Sequence, residues 1–226
     1  MKKRSRSLLL AVLLAVLAGL FITIFTKDLR EKRILKEMIK RLEADSRIAE
    51  VLVTGVSYDE DTKKIFTTIK FLEYDTAGDP LEPKYFTFSG NIIQFQSLVV
   101  RFDDIHVRKG DRLRGRSAYL FRKVFMLDGK NTEEYEITSV DKIPEGYKVD
   151  KDIDPFEKGV WEKFWQFALD PKEAKKMGIK NAQIEAPGTM FVPGVVYKLK
   201  IEHDGGIRID ALPIPPILKG EKIPSN

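Results

Sequence analysis

Cysteine is absent from all 226 residues. That absence removes disulfide staples, thiol nucleophiles, Cys-based zinc sites and a lipid-modified N-terminal cysteine together. Histidine is nearly as scarce, with only His106 and His203. His106 follows Asp103 and Asp104, but alternation along a strand end does not aim all three at one ion, so no metal is expected at either histidine. The chain also lacks G-x-S-x-G, a P-loop, G-x-G-x-x-G and H-E-x-x-H. No catalytic residue and no cofactor is therefore assigned, and a non-enzyme is favoured. Two carboxylates that meet only in the folded chain leave no such signature, so a carboxylate-based hydrolase or transferase stands as the alternative.

A run of three aspartates, Asp150, Asp152 and Asp154, begins as a calcium loop does. It then departs from that pattern, with Pro155 where the sixth-position glycine belongs and Trp161 where the twelfth-position glutamate belongs. Capping of a following helix by Asp154 is the better account.

The formal charge of +5 suggests a polyanion partner only until it is located. Residues 1–50 hold 12 Lys+Arg and 6 Asp+Glu, which leaves 27 and 28 for residues 51–226. The bulk of the chain has no overall field, and nucleic acid is not expected as a partner. The densest basic stretch in that bulk contains Arg112, Arg114 and Arg116, a candidate anion-binding or partner-binding strip. Its competing reading is a solvated face paired with the acidic stretch from Glu133 to Glu157.

What the chain has in abundance is one apolar run, Leu8 to Phe25, with Thr23 its only hydroxyl and no charge. Eighteen residues at the helical rise give ~27 Å, close to a ~30 Å hydrocarbon core, and predict a transmembrane helix. Residues 1–7 form a basic tail. A cleaved signal with a mature start at Gly19 is the competing reading, disfavoured by the length of the run. Lys2, Lys3, Arg4 and Arg6 favour a cytoplasmic N-terminus, placing the rest outside the cytoplasm as a single-pass, signal-anchored, periplasmic-type envelope protein with the lipid bilayer as partner.

Residues 26–49 read as a juxtamembrane amphipathic helix, a stalk with Leu35, Met38, Ile39 and Leu42 at i, i+3, i+4 and i+7. Packing on the domain below and self-association through residues 27–49 are its two readings; another envelope protein is the other candidate partner. After Glu50 the apolar period changes to two. Strands are predicted over Val51–Ser57, Lys64–Tyr74, Lys84–Ser89, Ile92–Asp103, Ala118–Met126 and Glu134–Thr138, separated by turn residues. Ile92–Asp103 is apolar on both faces, which predicts a strand covered on both sides.

Asp154-Pro155 with Glu157 starts a helix whose apolar positions are Phe156, Val160, Phe164 and Phe167, widened by Trp161, Trp165 and Ala168. Packing on the sheet is the first reading of this face. Trp161 and Trp165 are also its candidates for a ligand or docking surface. A second short helix is expected from Asp170 to Gly178, and a hairpin over residues 195–211. Residues 212–226 are expected to leave as a Pro-rich tail. The fold class expected is α+β: transmembrane helix, helical stalk, and over 50–211 a mainly antiparallel sheet or partly closed barrel carrying one aromatic helix. The function expected is an interaction or assembly module.

Overall fold

The computed structural model describes residues 2–41, 47–75, 77–102, 117–128, 131–149, 152–170, 172, 179–202 and 206–216. Helix α1 spans Lys2–Arg41 and α2 spans Pro155–Leu169. The strands are β1 Arg47–Asp59, β2 Lys64–Glu73, β3 Lys84–Phe88, β4 Ile92–Phe102, β5 Ser117–Asp128 and β6 Asn131–Glu136. They are followed by β7 Ile179–Glu185, β8 Gly188–Met190, β9 Val195–Ile201 and β10 Ile207–Pro213.

These strands form two antiparallel sheets. One has the order β10-β9-β1-β2-β3; the other has the order β6-β5-β4-β7, with β8 also pairing β4. Alternation builds the space between them. Val51, Val53, Ile69 and Phe71 of the first sheet meet Phe95, Val99, Tyr119 and Phe121 of the second in one buried cluster. The Phe71 ring lies 5.6 Å from Phe95 and 5.5 Å, edge-on, from Phe121, spacings at which aromatic pairs attract beyond simple burial.

The other face of the second sheet makes a second core. Leu98 and Val100 of β4, with Ala118 and Leu120 of β5, pack against Trp161, Trp165 and Ala168 of α2 and against Ile34 and Met38 of α1. Strand β4 is thus covered on both sides, Ile93, Phe95 and Val99 facing one core and Leu98 and Val100 the other. The molecule is three layers deep: sheet, sheet, helices.

Side chains tie the two sheets together along their edges. Tyr135 of β6 donates to the Thr87 carbonyl of β3 at 2.8 Å, and the Glu133 carboxylate accepts from the Ser89 N–H at 2.8 Å. On the opposite side the Tyr197 hydroxyl donates to the Met190 carbonyl and accepts from the Val192 N–H.

The expected α+β class with a transmembrane helix and stalk is corrected here. Among the described residues, no helix is long and apolar enough to cross a membrane. The membrane, single-pass, signal-anchor and periplasmic assignments, and the extracytoplasmic placement built on them, fall with it.

Nor is there a free stalk. Ile34 is 0% and Met38 5% exposed, because the end of α1 lies on α2 and the second sheet. The single sheet or partly closed barrel becomes two sheets. Alternation fixes which way a strand's side chains point, but not which sheet the strand joins. The helix expected over Asp170–Gly178 lies almost wholly outside the described residues.

Two substitutions test this packing in chemical denaturation. Met38→Ala removes a buried side chain from the second core and is expected to cost about 2–5 kcal/mol. A free stalk predicts no change. Ser97, 0% exposed, shares the side of β4 that carries Phe95 and Val99, and its Oγ has no hydrogen-bond partner among the described residues. Ser97→Ala is expected to leave stability unchanged or raise it, by no more than about 1–3 kcal/mol. A marked loss would mean that the hydroxyl is satisfied.

Candidate functional site

Helix α2 starts as its residue types dictate. Asp154 is the N-cap, its Oδ1 accepting from the Phe156 N–H at 2.8 Å, and Pro155 occupies the first turn where no N–H is needed. Glu157 is 1% exposed, and its Oε1 accepts from the Val149 N–H at 3.0 Å, so it anchors the chain entering the helix. Trp161 and Trp165, the candidate docking residues, are 2% and 1% exposed and sit inside the second core. Trp165 Nε1 donates to the Lys142 carbonyl at 2.7 Å, whereas Trp161 Nε1 has no hydrogen-bond partner among the described residues. Reaching either ring requires the elements above it to move.

A β-bulge places the most unusual buried charge. Gln96 pairs with Lys123 but Ser97 pairs with Phe121, so Arg122 is an extra residue in β5. Its carbonyl accepts from the N–H groups of Ile137 and Thr138 at 2.9 and 3.2 Å. Its guanidinium donates to the Thr138 carbonyl and lies 5.2 Å from the Trp165 ring, in cation–π geometry. Burial pushes this guanidinium below its ordinary pKa, and the charge of Glu136 opposes that shift. Arg122 therefore clamps the segment that follows β6 between sheet and helix.

Beside that clamped segment opens a cleft of about 240 Å³, walled by Phe71, Glu73, Glu82, Lys84, Lys142 and Glu145 among others. Lys84 donates to the Ile137 carbonyl, Glu145 pairs with Lys148 at 2.6 Å, and Glu73 is engaged as well. Among the described residues, no group of three or more His, Asp or Glu side chains is placed to hold a metal ion. The cleft lies just below the size range of small-molecule sites, ~300–1,000 Å³.

The outer face of the first sheet carries a second depression, shallow and mainly apolar, of about 380 Å³. Leu52, Leu72, Val196 and Leu212 line it, with Glu50 and Lys70. Leu52 and Leu212 both register opposite Val196, so three adjacent strands present apolar side chains where alternation calls for polar ones. At one margin the Tyr74 hydroxyl donates to Glu50 Oε2 at 3.0 Å.

The third surface is a ribbon. Strand β9 accompanies β1 only over Arg47–Leu52, and β3 accompanies β2 only over Thr67–Phe71. Beyond those limits β1 and β2 continue as a two-stranded arm to Asp59 and Lys64. The bulge at Thr54 keeps Val56 and Tyr58 on the face that carries Thr67 and Ile69, and Ile65 stands opposite Tyr58. This is the core face of the sheet carried past its cover, with Val56 52%, Tyr58 60% and Ile65 54% exposed. The turn is well made: Asp59 Oδ1 accepts from the N–H groups of Asp61 and Thr62, and the Thr62 bond in particular holds the Asp59 carboxyl below its ordinary pKa. Lys63 closes the turn at φ 54°.

Arg112, Arg114 and Arg116 lie outside the described residues, as do His106, His203 and Asp150 of the aspartate run. The sequence reading therefore placed its candidates either in the interior or in undescribed chain, and it missed the ribbon and the outer depression. A signal existed for the depression, since Val196 and Leu212 sit among polar-face positions. The ribbon had none, because its exposure depends on how far neighbouring strands extend. No protein-family model matches the chain, and no curated protein or solved structure is significantly similar to it.

Tyr74 offers a pH test of the outer depression. Burial first, and then the bond to Glu50, raise its pKa above the ordinary 10.0. A raised folded-state pKa contributes stability that is complete below the unfolded value and is lost as pH rises through the folded one. Tyr74→Phe is expected to remove a late-titrating component from the phenolate absorbance curve. The same substitution is expected to flatten the alkaline fall in stability; an unchanged slope would show that Tyr74 is not coupled to folding.

Proposed function

We propose that this protein is a non-enzymatic interaction or assembly module that presents the β1–β2 ribbon to a partner. The observation that carries this reading is the apolar stripe of Val56, Tyr58 and Ile65, each more than half exposed on an arm that no other described strand accompanies. An isolated two-stranded ribbon is marginal in water, and apolar side chains along one face give it something to gain from a partner. The apolar depression on the outer face of the same sheet adds a second surface of the same character. The alternative, hydrolysis or group transfer by paired carboxylates, has its support in Glu73 and Glu82 of the cleft. That cleft also holds Lys84 and Lys142, and Lys84, Glu145 and Glu73 are engaged within the protein.

A photoreactive residue at Tyr58 in the full chain tests the reading within source cells. A discrete crosslinked species is expected, and it should disappear when Ile65→Glu is added. Because both positions are exposed, Tyr58→Glu and Ile65→Glu are each expected to change stability by no more than about 0.5 kcal/mol. Absence of any adduct, or unfolding by either charge, would assign the stripe to the protein's own packing and leave the carboxylate cleft as the better candidate.

A further inference from the structure

The cleft beside the clamped segment has one wall that is fixed before any ligand arrives. The Arg122 carbonyl accepts from the N–H groups of Ile137 and Thr138, its guanidinium donates to the Thr138 carbonyl, and Trp165 Nε1 holds the Lys142 carbonyl at 2.7 Å. Between these anchors Asp141 sits at φ 63°, a left-handed conformation that its surroundings have to maintain. The facing wall comes from the first sheet, with Phe71 of β2, Lys84 at the start of β3 and Glu82 just before it. A site built on such held backbone spends little of its binding energy on ordering itself.

Several polar groups on these walls are unengaged. The Glu82 and Lys142 side chains have no hydrogen-bond or ion-pair partner among the described residues. Thr138 is only 8% exposed, yet every described hydrogen bond it makes is made by its backbone. The rest of the lining is largely apolar, with Phe71, Leu81, Ile137 and Ile143. A simple anion in this cleft would meet Glu73 and Glu82, and a simple cation would meet Lys84 and Lys142. A molecule that carries both charges close together on an aliphatic body meets each free charge with its opposite and covers the apolar lining as well. We propose that the cleft binds a free α-amino acid with a branched aliphatic side chain. Its ammonium lies at Glu82, its carboxylate at Lys142 and its side chain on the apolar lining, with the Thr138 hydroxyl open to either polar end. The cleft of about 240 Å³ equals roughly eight water volumes at ~30 Å³ each, which is room for a ligand the size of valine or leucine. This site goes beyond the assembly reading and does not rest on the ribbon.

Ligand-observed NMR titration of the full chain with L-leucine tests the proposal. Saturable binding of one leucine per chain is expected. Isocaproate lacks the ammonium and isoamylamine lacks the carboxylate, and each is expected to bind at least tenfold more weakly. Glu82 and Lys142 are exposed, so Glu82→Gln and Lys142→Met are expected to fold, and each should weaken leucine at least tenfold. The analogues separate direct contact from a structural effect. Glu82→Gln should leave isocaproate binding unmoved, and Lys142→Met should leave isoamylamine binding unmoved, because each analogue already lacks the group that the altered residue would meet. No saturation by leucine below ~10 mM, or equal binding of either single-charge analogue, would overturn the proposal. So would a loss of all three ligands together in either variant. The Tyr58 crosslink decides the ribbon separately.

Discussion

Strands β4 and β5 serve as the wall of both cores, and the rest of the structure is arranged around that constraint. A strand pair buried on both faces has no polar side to show, so every residue along it has to be satisfied by something packed above or below. Phe95, Val99, Tyr119 and Phe121 go to one side; Leu98, Val100, Ala118 and Leu120 go to the other. The first sheet and the helices need not touch each other, since each is held by its own face of the shared wall. Loss of volume in β4 would be felt in two cores at once.

On the helical side the apolar supply of this wall ends at Arg122. Arg122 follows Ala118 and Leu120 on the side of β5 that faces the helical layer, and the extra residue there returns Val124 and Met126 to the core between the sheets. The guanidinium is disfavoured by burial, which depresses its pKa, but it has a carbonyl to donate to and the Trp165 ring to lie against. Its backbone carbonyl holds the same segment from the other side. A buried charge with specific partners contributes little net stability, but its partners have to be in one arrangement. Here that arrangement fixes the start of the segment walling the cleft.

Much of this was legible locally. The alternation of Ile93, Phe95 and Val99 against Leu98 and Val100, the cap at Asp154 with Pro155, and the pairing of β9 with β10 follow from side-chain chemistry within a few residues. The apolar run of Leu8–Phe25 was equally plain, yet the inference drawn from it was not upheld among the described residues. A stripe such as Leu35, Met38, Ile39 and Leu42 states that a helix has an apolar face; it does not state what the face touches, and Met38 proved to belong to the domain's own core. The candidate surfaces were the least legible part. Trp161 and Trp165 share the chemistry of a docking face and of a core, and only the position of β4 beneath them decides between the two. Val56, Tyr58 and Ile65 read as ordinary strand residues, because exposure there is set by where β3 and β9 stop.

The contrast between inside and outside carries the functional argument further than any single residue. Within the two cores, the described polar side chains are almost all engaged: Tyr147 exchanges hydrogen bonds with the backbone of Tyr119, Glu157 holds Val149, and Trp165 holds Lys142. Apolar groups, in contrast, are exposed or half-exposed along the ribbon, in the outer depression and on α1. Scattered apolar residues on a surface need no explanation, but ones aligned in register across paired strands make a continuous face. A continuous apolar face on a projecting arm is stable in solution only while it is small, and it becomes favourable once something covers it. That gain on being covered is what supports the proposed assembly role.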